Sequence, residues 1–426
     1  MRKIMKTFPV AILLAGAACL PLVGAEWPQF RGPNHDGTSP EKISIHWPAG
    51  GLHQNWKTPL HNGFSSFTLG AGNAYTLVTR DIEGVPSEVL VALNAADGKE
   101  LWAVPLGIAK YDGGGDSGAP GNSGGDGPRS TPVFDNGKVY AYSSQMLLKC
   151  VSAEEGKDVW ASDLKKEHGG RNIHWENASS PLIEGDLVFV AGGGPGESLL
   201  AFDKTDGHVV WKAEDLKYTQ STPVAATILG ERQIIFFTQS GLVSVVPKTG
   251  AVLWRYPFKY NGAAGISPVV SGDMVYCSMS YNVGSSACKI TKNADNTYTA
   301  TRLWMVSDNK ETSHWSTPVA LNGYIYGIFD QAKFGTAPLE CVDMATGDVK
   351  WSKEGFGPGG VNLVDGNLVV LSDAGDLVLA KAAPDAYTEL ARDHVLSGKC
   401  WNSVAISDGH IYARSTKEGI SIDIPN

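Results

Sequence analysis

The chain has 426 residues, 42% of them apolar, with 50 Gly, 23 Pro and 12 Trp. That composition suits a globular protein of many short strands and tight turns and excludes a disordered one. Its formal charge of −9 opposes binding to a phosphate backbone, since no local basic stripe offsets it, and nucleic acid is therefore excluded as a partner.

The first 25 residues read as an export signal. Arg2, Lys3 and Lys6 form a positive start, residues 8–20 are apolar, and Val23, Gly24 and Ala25 supply small residues for cleavage. Cleavage near Ala25 predicts a periplasmic or secreted chain in which residues 26–426 form a single domain. Cys19 invites lipidation, but Gly16 stands where an aliphatic residue is usual. The mature part carries 32 basic against 44 acidic residues, a charge of −12. No later apolar run approaches the ~20 residues of a membrane span. Five cysteines remain, of which Cys277 and Cys288 are expected to face each other across one hairpin and Cys150, Cys341 and Cys400 to sit alone in the core.

The rest of the chain repeats itself. "STPVFDNGKVYAYSSQMLLKCVSAEEGKDVW" (130–160), "SSPLIEGDLVFVAGGGPGESLLAFDKTDGHVVW" (179–211), "STPVAATILGERQIIFFTQSGLVSVVPKTGAVLW" (221–254) and "STPVALNGYIYGIFDQAKFGTAPLECVDMATGDVKW" (316–351) run from Ser/Thr-Pro through alternating apolar stretches to a closing Trp. Weaker copies end at Trp102 and Trp304. Each copy divides into four short β segments, with Gly98, Gly156, Gly207, Gly250 and Gly347 placed where a hairpin needs positive φ. Four antiparallel strands in about 45 residues is the pattern of a propeller blade. Neighbouring blades cover each other's faces, and the closing Trp suits the outer layer between them.

Counting fixes the ring. Trp56, Trp102, Trp160, Trp211, Trp254, Trp304 and Trp351 close seven outer strands, and "ELARDHVL" (389–396) forms another without a Trp. The C-terminal residues 400–424 offer three strands that lack a fourth, and residues 52–60 offer a fourth strand that lacks three. The expected fold is all-β: an eight-bladed β-propeller whose N- and C-terminal strands share one blade, leaving no open edge.

The glycine-rich stretch "KYDGGGDSGAPGNSGGDGPRSTP" (110–132) falls between an outer strand and the next inner strand and reads as a surface loop. A phosphate cradle would need Gly-Lys-Ser/Thr and a following helix. Asp112, Asp116 and Asp126 are hard donors, but their spacing matches no calcium loop.

"CVDMATGDVKW" (341–351) resembles the tryptophan-docking pattern of the pyrroloquinoline-quinone (PQQ) repeat superfamily, and "EWPQFRGPNHDGTSPE" (26–41) with "GPRSTPVFDNGKVYAY" (127–142) is similar to secreted bacterial PQQ-like propellers. The resemblance covers essentially the whole mature chain and extends in fold to quinoprotein dehydrogenases and to the lipoprotein propeller that assists outer-membrane protein assembly. It implies fold more than function.

Inner strands lie nearest the axis, so the residues before them ring the channel mouth. "PRSTP" (128–132), "HWENASSP" (174–181), "HWSTP" (314–318) and "CWNS" (400–403) gather Arg129, His174, Trp175, Glu176, Asn177, Gln220, His314, Trp315, Trp401 and Asn402. A concave mouth with aromatic faces and convergent polar groups is a binding site, while the same residues also suit packing of the funnel wall; both readings stand. In the dehydrogenases that the fold resembles, Ca²⁺ holds the quinone through Glu and Asn, which here points to Glu176 and Asn177. Their adjacent-cysteine pair is missing from the chain, and no Asp in these mouth segments offers a general base. No other catalytic motif stands in the sequence. The expected function is a monomeric, non-catalytic scaffold for a protein, peptide or glycan, with two alternatives: a PQQ- or metal-dependent oxidoreductase, and an accessory factor in outer-membrane protein assembly.

Overall fold

The computed structural model describes residues 26–111, 127–307, 312–330 and 335–425. Residues 112–126, with the three aspartates of the glycine-rich stretch, lie outside them. Eight sheets form eight blades in a ring. The inner strands are Thr68–Gly70, Val133–Asp135, Leu182–Glu184, Val224–Ile228, Val269–Ser271, Val319–Leu321, Gly360–Val364 and Ala405–Ser407, for blades 1 to 8 in order. In blade 8 the outer strand is the N-terminal Gln54–Pro59, which pairs antiparallel with the C-terminal Glu418–Asp423 and sets Trp56 opposite Ser421. The ring closes as the sequence predicts. Among the described residues no helix is long and apolar enough to cross a membrane.

The repeat residues have identifiable work. Six of the seven closing Trp donate their indole N–H to a carbonyl in the last turn of the neighbouring blade, among them Trp56 to Ala95 (2.8 Å), Trp102 to Ala153 (3.0 Å), Trp211 to Pro247 (2.7 Å) and Trp304 to Met344 (2.9 Å). The turn glycine lies flat under the ring. A Cβ on Gly98, Gly156, Gly207, Gly250 or Gly347 would come within 2.6–2.9 Å of the indole, so glycine serves the packing as well as the positive φ. From within the blade an aromatic residue tilts against the Trp, as in Tyr75–Trp102, Tyr140–Trp160 and Tyr276–Trp304 at 5.8–6.1 Å.

Two departures follow from this contact. Trp254 faces blade 5, whose last turn is the long Asn293–Thr297 hairpin without a glycine, and it donates instead to Gln233 Oε1 of its own blade (2.6 Å). Blade 7 carries Ala391 where the Trp would stand, opposite Leu379. Blade 8 has no turn to receive one, because its last two strands are the two ends of the chain.

A Ser or Thr before the inner strands of blades 1 to 6 forms a belt between blades. Ser66 N donates to Thr131 Oγ1 (3.0 Å), Thr131 N to Ser180 Oγ (2.8 Å), Ser180 N to Thr222 Oγ1 (2.9 Å) and Ser267 N to Thr317 Oγ1 (3.0 Å). These backbone groups have no sheet partner there, and the neighbouring hydroxyl satisfies them.

One element was not expected. Residues 27–39 form a strap across the end of the axis where inner strands turn outward. Leu69 N donates to Trp27 O (2.8 Å), Phe134 N to Pro28 O (2.7 Å) and Leu363 N to Gly37 O (2.9 Å). Thr38 and Ser39 add a fifth, parallel strand inside blade 7 against Leu363 and Val364. Arg31, only 4% exposed, donates to the carbonyls of Thr317 (2.8 Å) and Pro318 (2.7 Å), and to those of His35 and Asp36. Burial lowers its pKa to about 10; carbonyl dipoles rather than a carboxylate bond compensate the charge.

The cysteine expectation is corrected. Cys277 stands opposite Ser286 and Cys288 opposite Val275, a diagonal whose Cα separation of about 7–8 Å exceeds disulfide reach. All five described cysteines are buried and free.

Candidate functional site

At the end of the axis opposite the strap, chain segments pass from the outer strand of one blade to the inner strand of the next. Five of these segments carry Arg129, His174 to Asn177, Gln220, His314 with Trp315, and Trp401 with Asn402. Their rings meet. His174 lies 4.1 Å from Trp175, Trp175 stacks on Tyr281 at 5.7 Å and 18°, and Tyr281 meets His314 edge-on at 5.0 Å. His314 then touches Trp315 (4.8 Å), Trp315 touches Trp401 (5.2 Å), and Trp401 stacks on Phe64 (5.1 Å). Seven rings thus cross the mouth in one unbroken series, and Lys399 Nζ sits 4.4 Å from the Trp401 centroid. His174 is exposed and Trp175, Tyr281 and Trp315 are half-buried, so the series keeps faces toward solvent.

The backbone beneath the stack is unusual. Trp175 (φ 62°), Glu176 (54°), Tyr281 (60°) and Asn282 (60°) are all left-handed. Bulky side chains avoid that region at a cost of about 1–2 kcal/mol each. The two rings that meet face to face therefore stand on two strained corners, the kind of feature that collects at ligand clamps.

Several predicted residues hold the mouth together rather than line it. Gln220 Nε2 donates to His174 O (2.7 Å) and its Oε1 accepts from Ala264 N (3.3 Å). Arg129 Nη1 donates to Trp175 O (3.0 Å). Asn402 Nδ2 donates to Arg414 O (3.3 Å). Asn177 Nδ2 donates to Ser143 O and Ser179 O, and its Oδ1 accepts from Ser179 N (3.1 Å). Burial pushes His314 down to about 4 and Tyr281 up to about 12, so both are neutral at pH 7.

The quinone–calcium arrangement does not fit these residues. It would require Glu176 and Asn177 to present oxygens together, whereas Asn177 Oδ1 accepts from Ser179 N in its own loop and Nδ2 is spent on Ser143 O and Ser179 O. The described residues of the mouth offer stacking faces, hydrogen bonds and cationic groups. Elsewhere, Asp203, Asp206 and His208 lie together, but they shape the exposed last turn of blade 3, where Asp203 Oδ1 accepts from Thr205 N and Asp206 Oδ1 from His208 N. A hollow of about 200 Å³ lies at the strap end, between Gln29, His35, Phe134 and Ile183.

Sequence reasoning missed Phe64, Tyr281 and Lys399. Phe64 precedes an inner strand just as Trp401 does, and aligning the two segments would have found it. Tyr281 comes from a turn inside blade 5, outside the segments that the repeat singles out.

Comparison with known proteins agrees with this architecture. The outer membrane protein assembly factor BamB of Moranella endobia is 23% identical over 298 residues, 67% of this chain and 72% of that protein. The Escherichia coli K12 protein of the same name is 24% identical over 270 residues, 58% of this chain and 62% of the relative. Among solved structures, BamB from Moraxella catarrhalis superposes with TM-score 0.59 at 13% identity, covering 87% of this chain and 99% of that one. Quinohemoprotein alcohol dehydrogenase from Comamonas testosteroni gives 0.64 at 13%, covering 94% and 80%; at such identities the likeness is one of fold. The family model described as outer membrane protein assembly factor BamB matches residues 86–328, more than half of the sequence, and the chain belongs to that PQQ_2 family.

Proposed function

We propose that the chain is a non-catalytic binding scaffold of the cell envelope that holds an extended polypeptide across its aromatic mouth, in the service of outer-membrane protein assembly. The observation that carries this reading is the unbroken ring series from His174 to Phe64, with solvent-facing indoles at Trp175 and Trp315. Aromatic faces without directional readout suit a partner of varied sequence, since any apolar or aromatic side chain stacks on them. The family match supports the setting, and the engagement of the Asn177 amide by Ser143 and Ser179 weighs against quinone chemistry.

The test is a photo-crosslinking residue placed at His174, with Val159 on an outer strand as control, in cells that export β-barrel proteins. Crosslinks to an outer-membrane protein or to its assembly machinery at 174 and not at 159, lost when Trp175→Ala and Trp315→Ala are combined, are the expected result. Crosslinks to glycan alone, or none that depend on the two indoles, would reject the polypeptide reading.

A further inference from the structure

A buried carboxylate in blade 1 stands behind the strained Trp175 corner. Glu88 lies in the third strand of the blade (Val85–Asn94) and is fully buried. Each blade shows a register shift beside its closing-Trp position, but the outer strand of this blade (Glu100–Ile108) has a second one, at Leu106, facing Glu88 and Val89. Glu88 shares the face of its strand with Leu90 and Ala92, which pack against blade 2, and its two carboxyl oxygens reach loops of the mouth. Oε1 accepts from Tyr111 Oη (2.5 Å) and Oε2 from Ser144 N (2.9 Å).

From these two contacts the connection to Trp175 runs by separate routes. The Tyr111 ring lies under the Arg129 guanidinium (5.3 Å), and Arg129 holds Trp175 O. The turn at Ser143 and Ser144 presents its carbonyls to Asn177 Nδ2 (3.2 Å) and Asn177 N (3.3 Å). The left-handed pair Trp175 and Glu176 is thus pinned at the Trp175 carbonyl and at the following Asn177 by groups that rest on one acidic side chain. A buried acidic side chain that takes donors from two loops is a costly feature for a blade interior to carry without a task.

We infer that Glu88 is the positioning residue of the mouth, holding Trp175 in the orientation that stacks on Tyr281. The value of that orientation for a partner rests on the function proposed above; the positioning itself is tested without a partner. The full mature chain is labelled with 5-fluorotryptophan, and the Trp175 fluorine resonance is assigned by its loss in Trp175→Phe. Glu88→Gln places an N–H against a donor, and Tyr111→Phe removes only the hydroxyl. In both, the Trp175 line is expected to move by more than its width, while those of Trp160, Trp211 and Trp254, which dock on the outer ring, stay in place. An unmoved Trp175 line in either folded variant overturns the inference, as does a concerted shift of all lines, which would mark Glu88 as general packing. Should Glu88→Gln not fold, Tyr111→Phe decides alone. A shifted Trp175 line together with crosslinking that does not depend on the Trp175 and Trp315 indoles would sink the proposed function and leave the positioning standing.

Discussion

The two ends of the propeller axis are closed by opposite means. At the strap end, backbone closes backbone: Trp27, Pro28 and Gly37 carbonyls accept from inner strands of blades 1, 2 and 7, and Arg31 donates to carbonyls of the segment entering blade 6. At the mouth, side chains close the gap, as rings in contact over strained corners. Backbone pairing is directional, and its groups cannot be left bare in a dry site, so the strap end has one arrangement. Ring contacts are individually weak, worth about 0.5–1.5 kcal/mol beyond burial, and tolerate rearrangement. The contrast assigns stability to one end and adaptability to the other.

The largest expected effect breaks the strap. Arg31→Met keeps apolar length but strands four carbonyls that the guanidinium now satisfies, so stability should fall by roughly 3 kcal/mol or more, read as a lower urea midpoint. A loss below about 1 kcal/mol would show that the strap is an accessory and that the two ends do not differ as claimed.

A smaller effect uses a feature that both ends share. His35 in the strap is held down to about 4, first by burial and secondarily by the repulsion of Arg31 and Arg232 against the pull of Glu184; His314 at the mouth is held at about 4 by burial. Each binds its proton at 6.5 when unfolded and only near 4 when folded, so the unfolded chain holds more protons in that window. Stability is therefore full above pH 6.5 and is lost as pH falls toward 4, by on the order of 3 kcal/mol for the fully buried His35. His35→Gln should flatten the acid side of the stability profile measured by chemical denaturation. Hydrogen exchange should separate the ends, with acid opening at His314 confined to the mouth and opening at His35 spreading through blades 1 to 3. A profile unchanged by His35→Gln would remove the strap from the acid response.

The contrast also explains what the sequence discloses. The docking Trp, its turn glycine and the belt hydroxyl solve one packing problem in blade after blade, so repetition makes them visible and the ring could be counted. Even the missing Trp at Ala391 follows from closure. The strap solves its problem once, largely through main-chain atoms, and Trp27 or Arg31 has no second copy to compare with. At the mouth, His174, Trp175, His314, Trp315 and Trp401 were legible because they precede inner strands. Tyr281 was not, since it reaches the axis from a turn within a blade. Glu88 was hidden more deeply: a lone Glu at a strand position reads as solvent-facing, whereas here both faces of the strand are covered by neighbouring blades.

The smallest effect is the sharpest test of the mouth. Trp175→Gly deletes the ring and at the same time places at φ 62° the one residue that accepts a left-handed backbone without steric cost. Loss of the contacts with His174 and Tyr281 costs about 1 kcal/mol, and relief of the corner returns about 1 kcal/mol. The urea midpoint should hardly move, while crosslinking of a polypeptide at the mouth is lost. The same substitution at Trp211, 8% exposed and docked on blade 4, removes a packed ring with nothing to offset it and should cost about 3–5 kcal/mol. If Trp175→Gly were as damaging as Trp211→Gly, the indole would be part of the wall, the mouth would be as fixed as the strap, and the binding reading would lose its ground.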